Sequence, residues 1–274
     1  MTAIQAVVLA ILQGVTELFP ISSLGHAVLA PRLLHWPIDE NSADFLPYLV
    51  VMHLGTAIAL FLYFWRDWLD FLSSLLSAKD ARSTLNRRLF FQVVVATIPA
   101  IIVGFAFRKL LGEAFGAPAI AAVFLIVNGF ILFFGDRVAG QSQGELNQLN
   151  FVGALAIGVA QCLALIPGVS RSGATIVMGV FAGLKHEAAA RFSFLMATPI
   201  ILGATALEAP KLLKQGATLG PMAILSGVVA GVVAYASLAF LMRYFRKHEF
   251  EALNPFAFYC WGAGALALVA LQFL

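Results

Sequence analysis

The chain has 274 residues, 61% of them hydrophobic and 11% charged. Soluble domains carry roughly 45–50% apolar and about 25% charged residues. A soluble globule is therefore excluded, disorder is excluded by the opposite argument, and a polytopic membrane protein remains. The 17 Lys and Arg against 14 Asp and Glu leave +3, without the basic stripe of a nucleic-acid binder, so no nucleic-acid partner is expected.

The first residues, MTAIQAVVLAILQG, lack a positive n-region and an A-x-A site, so a cleaved signal peptide is not expected. Residues 2–35 form an apolar region interrupted by TELFPISSLGH, Thr16 to His26. Each side of the break is too short to span comfortably, which predicts a re-entrant helix pair. Uncharged runs then predict full spans at 45–65, 89–107 and 114–135, with 66–88 a solvated linker. A second interrupted region, 150–184, is broken by IPGVSRSG, Ile166 to Gly173, with a helix expected from about Gly173. Spans follow at 188–208, 220–242 and 254–274. The prediction is an all-α polytopic membrane protein, one domain over 1–274, with six transmembrane helices and two re-entrant pairs.

The two interrupted regions align at a constant offset of 148 residues. Gln13 matches Gln161, Ser22 matches Ser170, and Gly25 matches Gly173. Each half, 1–135 and 150–274, reads broken pair and then three spans. Three crossings reverse the side from which the second half starts, which predicts an inverted-topology repeat with its site at the discontinuous helices. One side gathers 11 basic residues between Arg66 and Lys247; the other holds 5, namely Arg32, Arg108, Lys109, Lys211 and Lys214. The positive-inside rule makes the first side cytoplasmic and opens the first pair outward.

Chemistry concentrates in the breaks. In PGVSRSGAT, Arg171 stands between Ser170 and Ser172, flanked by Gly168 and Gly173, with Thr175 one turn on. A helix N-terminus, close-approach glycines and a guanidinium fork suit a phosphate-like anion. The first break offers Glu17, Ser22, Ser23 and His26. Glu17 is the only acid in the first 38 positions, and its natural partner at membrane depth is Arg171. Carboxylate, hydroxyl and imidazole are the parts of a nucleophile–base or acid–base assembly. His53, inside a span, is expected to line the cavity, and Gln13 to support it. His35, His186 and His248 read as solvated or capping, and Asn128 as an interhelical hydrogen bond. Cys162 and Cys260 lie in apolar runs and form no disulfide frame. The SGVVAG stretch at 226–231 suits close packing, inside the chain or at a homodimer face.

The two breaks resemble the signatures of the undecaprenyl-diphosphate phosphatase, or bacitracin-resistance protein, family. QGVTELFPISSLGH is similar to Glu/Gln-x-x-x-Glu followed by Leu-Pro-x-Ser-Ser-x-Gly-His, and PGVSRSGAT to Pro-Gly-x-Ser-Arg-Ser-x-x-Thr. Gln13 stands where many members carry Glu, Leu24 where Thr is common, and Phe19 precedes Pro20. The resemblance implies hydrolysis of undecaprenyl diphosphate, a polyprenyl diphosphate lipid of cell-wall synthesis, to the monophosphate in the bacterial inner membrane, at a site facing the exterior. It implies catalytic roles for Glu17, Ser23, His26 and Arg171. The diphosphate would lie on Ser22, Gly168, Ser170, Arg171, Ser172, Gly173 and Thr175. Gln13 weakens any paired-glutamate metal site, so no metal ligands are assigned and a divalent cation (Mg or Ca) is left as an open requirement. The nucleophile is also open: Ser23 with Glu17 or His26 as base, water with His26, or His26 itself. A non-hydrolytic polyprenyl-phosphate flippase is the competing function. An ion transporter is disfavoured by the scarcity of acids in the spans. A type-2 phosphatidic-acid phosphatase would need His at position 177, which is Val177.

Overall fold

A computed structural model describes residues 2–37, 45–76, 80–107, 117–139, 142–214 and 220–274. Eleven α-helices and no strands occur among them. In chain order they are α1 (Ala3–Thr16), α2 (Ser23–Leu33), α3 (Phe45–Tyr63), α4 (Trp65–Leu76), α5 (Ala81–Ala106), α6 (Pro118–Ala139), α7 (Phe151–Gln161), α8 (Arg171–Phe181), α9 (His186–Lys214), α10 (Pro221–Lys247) and α11 (Asn254–Leu271). Two short 3-10 turns, Leu146–Gln148 and Cys162–Leu165, flank α7.

Five described helices are long and apolar enough to cross a bilayer: α5, α6, α9, α10 and α11. The stretch Tyr48–Tyr63 reaches that standard only together with α4, from which it is bent by 70°. This is a multi-pass membrane protein. Large apolar side chains such as Ile102, Val228 and Leu266 are exposed on its outside, as lipid-facing residues must be. The expected spans fall on helices, but the boundaries move. The run expected at 89–107 begins at Ala81, where Asp80 caps α5 by accepting the Ser83 N–H at 2.7 Å. Ser83's side chain and N–H together hold the Asp80 carboxyl below its ordinary range. Residues 114–116 of the expected third span lie outside the described residues.

The expected linker at 66–88 is mostly helical, a correction with a clear cause. In WRDWLDFLSSLL the charges fall on one face at helical spacing and the large apolar residues on the other. Charge density alone suggested solvent, but the period is that of an amphipathic helix. Phe71 and Ser74 are buried, and Asp67 and Asp70 pair with Arg191 and Arg82.

The glycine-rich stretch packs within the chain. A Cβ on Gly55 would lie 2.0 Å from the Gly227 carbonyl oxygen, and one on Gly227 would lie 2.5 Å from Val51, so α3 and α10 touch backbone to backbone. His248 is exposed and caps α10, with Nδ1 2.9 Å from the Tyr244 carbonyl, and His35 is exposed. His186 departs from expectation. It is buried and bonded to Asp136, whose other oxygen accepts the Leu253 N–H that opens α11. Position near an interface misled the reading, because the acid that desolvates with His186 lies 50 residues away.

Candidate active site

The first break starts where α1 ends. Glu17 follows as the C-cap, and Pro20 prevents continuation of the helix. Ser22 then caps α2 by accepting the Gly25 N–H at 3.2 Å. Its φ of 69° is strained for a residue with a Cβ. The second break repeats the device. Ser170 caps α8 by accepting the Gly173 N–H, again at 3.2 Å. The helix therefore begins at Arg171, two residues before the expected start, and the Gly173 N–H is occupied. Among the described residues the N–H groups of Arg171 and Ser172 take no partner, as the first turn of a helix allows.

The two breaks meet at their tips. A Cβ on Gly25 would lie 3.1 Å from the Gly168 Cα. Gly168 has φ +99°, and a Cβ there would fall 2.3 Å from the Ala121 carbonyl, so both space and backbone demand glycine. Asn128 pins the tips from α6. Its Nδ2 donates to the Pro20 carbonyl at 2.9 Å and to Cys260 Sγ at 3.3 Å, while its Oδ1 accepts the Ser170 N–H at 2.9 Å. The expected interhelical hydrogen bond is present, to Cys260 of α11, and the other two bonds add a clamp across both breaks. Cys162 and Cys260 are free thiols.

Around Glu17 the contacts converge. Ser23 Oγ donates to Oε2 at 2.7 Å, and Gln13 Nε2 donates to the same oxygen at 3.0 Å. Arg171 Nη2 stands 3.4 Å from Oε1 and 3.4 Å from the Glu17 carbonyl, and Nη1 stands 3.4 Å from the Ser193 carbonyl. An isolated arginine at the bilayer centre costs roughly 2.5–3.5 kcal/mol on insertion scales; a carboxylate at this range offsets that. All three contacts are long for charge-assisted bonds, so the guanidinium is held loosely. His53 Nε2 lies 3.9 Å from Glu17 Oε2.

Several expected ligand groups are turned elsewhere. Ser172 Oγ donates to the Phe19 carbonyl at 3.2 Å and lies 3.1 Å from Ser170 Oγ. Thr175 Oγ1 bonds to the Arg171 and Ser172 carbonyls and to Ser193 Oγ, 2.7 Å away. These hydroxyls join the breaks and brace α8. His26 is not beside Glu17, Ser23 or Arg171 by any hydrogen bond among the described residues. Its Nδ1 faces the Ser22 carbonyl and its Nε2 the Tyr259 hydroxyl, each at 2.7 Å. Ser23 and His26 share one short helix but leave it in different directions, which sequence spacing did not reveal. Ser193 and Tyr259 were not anticipated: a serine or tyrosine inside an apolar span carries no signal in the sequence.

The donor set does not suit a divalent ion held by protein alone. Among the described residues no group of three or more His, Cys, Asp or Glu could hold a metal. Glu17, the one acid here, is already faced by three donors, Gln13 among them with its amide nitrogen turned inward. Hard cations need several oxygen ligands.

An apolar groove adjoins the first break, and a charged basin lies elsewhere. An apolar groove of about 520 Å³ runs between α1 and α11, lined by Val15, Thr16, Phe19 and Ile21 beside Glu17 and by Tyr259 beyond. A charged basin of about 370 Å³ lies apart from it, among Asp67, Arg82, Glu145, Lys185 and Arg191. There Arg82, Lys185 and Arg191 each meet a carboxylate.

Residues 6–266 match the family described as Bacitracin resistance protein BacA. The chain is 53% identical over 280 residues to an undecaprenyl-diphosphatase of Acidiphilium cryptum, covering 100% of this chain and 99% of the relative. It is 52% identical over 289 residues to one of Granulibacter bethesdensis, covering 100% and 98%. It is 48% identical over 272 residues to undecaprenyl-diphosphatase 2 of Chromobacterium violaceum, covering 98% and 99%. With a family match across nearly its whole length, the chain belongs to the BacA family.

Proposed function

We propose that this chain is an undecaprenyl-diphosphate phosphatase of the bacterial inner membrane, releasing inorganic phosphate and returning undecaprenyl phosphate to cell-wall synthesis. The observation that carries the reading is the Ser23 hydroxyl donating to buried Glu17, with Arg171 on the other carboxylate oxygen. A carboxylate that already accepts a hydroxyl proton is placed as its base. Ser23 Oγ attacks the terminal phosphorus and its proton passes to Glu17. The bond from that phosphorus to the bridging oxygen breaks, and its electrons leave with undecaprenyl phosphate. Water then cleaves the phosphoserine, and Ser23 recovers its proton from Glu17. Arg171, loosely held by three oxygens, turns to the phosphoryl group and stabilises the charge on its equatorial oxygens. No step runs through a metal.

The apolar groove between α1 and α11 takes the polyprenyl tail in this reading: its lining is almost wholly apolar, and Thr16 on its wall is the chain neighbour of Glu17. The charge asymmetry of the sequence supports an opening to the exterior, and the recurring Ser-to-Gly capping bond supports the inverted repeat. A non-hydrolytic flippase would use Arg171 but has no role for a hydroxyl aimed at a carboxylate. The test is phosphate release from undecaprenyl or farnesyl diphosphate by purified protein in detergent. Wild type should release phosphate, and Glu17→Ala, Ser23→Ala and Arg171→Ala should lose it. No release by folded wild type would remove the enzyme reading.

A further inference from the structure

Two histidines stand near the breaks, and their surroundings differ in what each can do. His26 is 8% exposed and both ring nitrogens are engaged, by the Ser22 carbonyl and the Tyr259 hydroxyl. The His53 side chain is 31% exposed, and among the described residues only its Nδ1 has a hydrogen-bond partner, the Leu49 carbonyl at 2.8 Å. A carbonyl can only accept, so Nδ1 carries the proton and Nε2 is the nitrogen that gains or loses one. That Nε2 points at the Glu17–Ser23 pair from 3.9 Å, too far for a direct bond. An oxygen about 2.8 Å from both Nε2 and Oε2 fits at the apex of a triangle on that base. A phosphoryl oxygen or an attacking water would occupy such a position.

We propose that His53 is a catalytic acid–base residue that exchanges protons with the reacting phosphate through Nε2, beside Glu17. The proposal rests on the phosphatase reading above. In the first half-reaction, protonated His53 gives the Nε2 proton to the bridging oxygen as its bond to the terminal phosphorus breaks. Undecaprenyl phosphate leaves protonated, and Ser23 keeps the phosphoryl group while Glu17 keeps the serine's proton. In the second half-reaction, water attacks the phosphoserine and its proton goes to the Nε2 lone pair. The phosphorus–Oγ bond breaks, and Glu17 returns its proton to Ser23. One water is consumed, and His53, Glu17 and Ser23 end as they began.

Among the described residues, the groups facing His53 are few. The end of α1 brings Glu17 with Gln13, α2 brings Ser23, and α8 brings Arg171 on the far oxygen of Glu17. The other helices packed on α3 are α9 and α10, whose stretches 192–207 and 221–242 contain no Asp, Glu, Lys, Arg or His. Tyr235 of α10 packs on Tyr63, at the distant end of α3. In α4, Asp67 is held by Arg191.

The experiment compares pH profiles of kcat and kcat/KM for wild type, His53→Gln and His26→Gln on undecaprenyl diphosphate in detergent, with phosphate release as readout. His53→Gln should lower kcat about 100-fold, with a smaller effect on KM. It should also remove the profile limb that an imidazole contributes, whereas His26→Gln should keep that limb whatever its rate. Should His53→Gln fail to fold, His53→Gly with added imidazole replaces it, and the rate should rise with imidazole concentration. A His53→Gln profile with the limb intact, or a limb lost only in His26→Gln, overturns the proposal and leaves the phosphatase reading standing. Folded wild type without phosphate release defeats that reading instead.

Discussion

The two breaks share one capping bond, made from different backbone conformations at Ser22 and Ser170, and carry opposite chemistry. Ser22 and Ser170 cap their helices with the same 3.2 Å bond to a glycine N–H three residues on, and the helices they open have 11 residues each. At the shared offset, however, Ser23 stands where Arg171 stands, and Glu17 where Leu165 stands. The repeated bond caps two helices whose tips are in contact, and the chemistry comes from a handful of positions where the halves differ. Gln13 and Gln161 show the same divergence. Gln13 bonds Glu17, whereas Gln161 is buried with both polar atoms unpartnered among the described residues.

Exchanging those differences should produce the largest effects. Arg171→Ala removes the cation from the second tip and should lower kcat by about 1,000-fold, the upper end of what a single oxyanion donor supplies. Arg171→Lys should recover only part, because the ammonium lacks the planar fork. Steady-state phosphate release checks both. Asn128→Ala attacks what the tips have in common. It leaves the Pro20 carbonyl and the Ser170 N–H unsatisfied, at roughly 1–3 kcal/mol each. We expect a lowered Tm in detergent together with a rate loss of about tenfold or more, and a wild-type Tm would refute the clamp. Gln13→Glu places a second carboxylate against Glu17 Oε2, the oxygen that Gln13 now reaches at 3.0 Å. Its activity should fall without divalent cations and recover with Mg or Ca more than the wild type responds, as an EDTA titration would show. The smallest effect belongs to Gln161→Leu. It removes a buried amide that has no partner among the described residues, so activity should hold and Tm should stay or rise.

How far the sequence foretold this depends on whether a residue's need could be met in only one way. Glu17 and Arg171 were legible as a pair because a lone acid and a lone cation at membrane depth require each other. The breaks were legible because Pro, Gly and Ser interrupt runs that would otherwise be continuous. The surroundings of the two histidines were not, since the direction in which α2 and α3 turn their side chains depends on packing. The clamp was half legible: Asn128 stood out in an uncharged span, but its partners are backbone groups with no sequence signature. In α4 charge density argues for solvent and only the helical period of its apolar residues argues for a packed helix.

The groove between α1 and α11 has its rim at Val8 and Ile11, exposed on the outer face of the bundle. A substrate taken up there arrives by lateral diffusion, and its product departs the same way without crossing into water. The encounter is two-dimensional. The quantity governing turnover is then the mole fraction of carrier lipid in the membrane, so an apparent KM in micelles should scale with detergent as surface dilution requires.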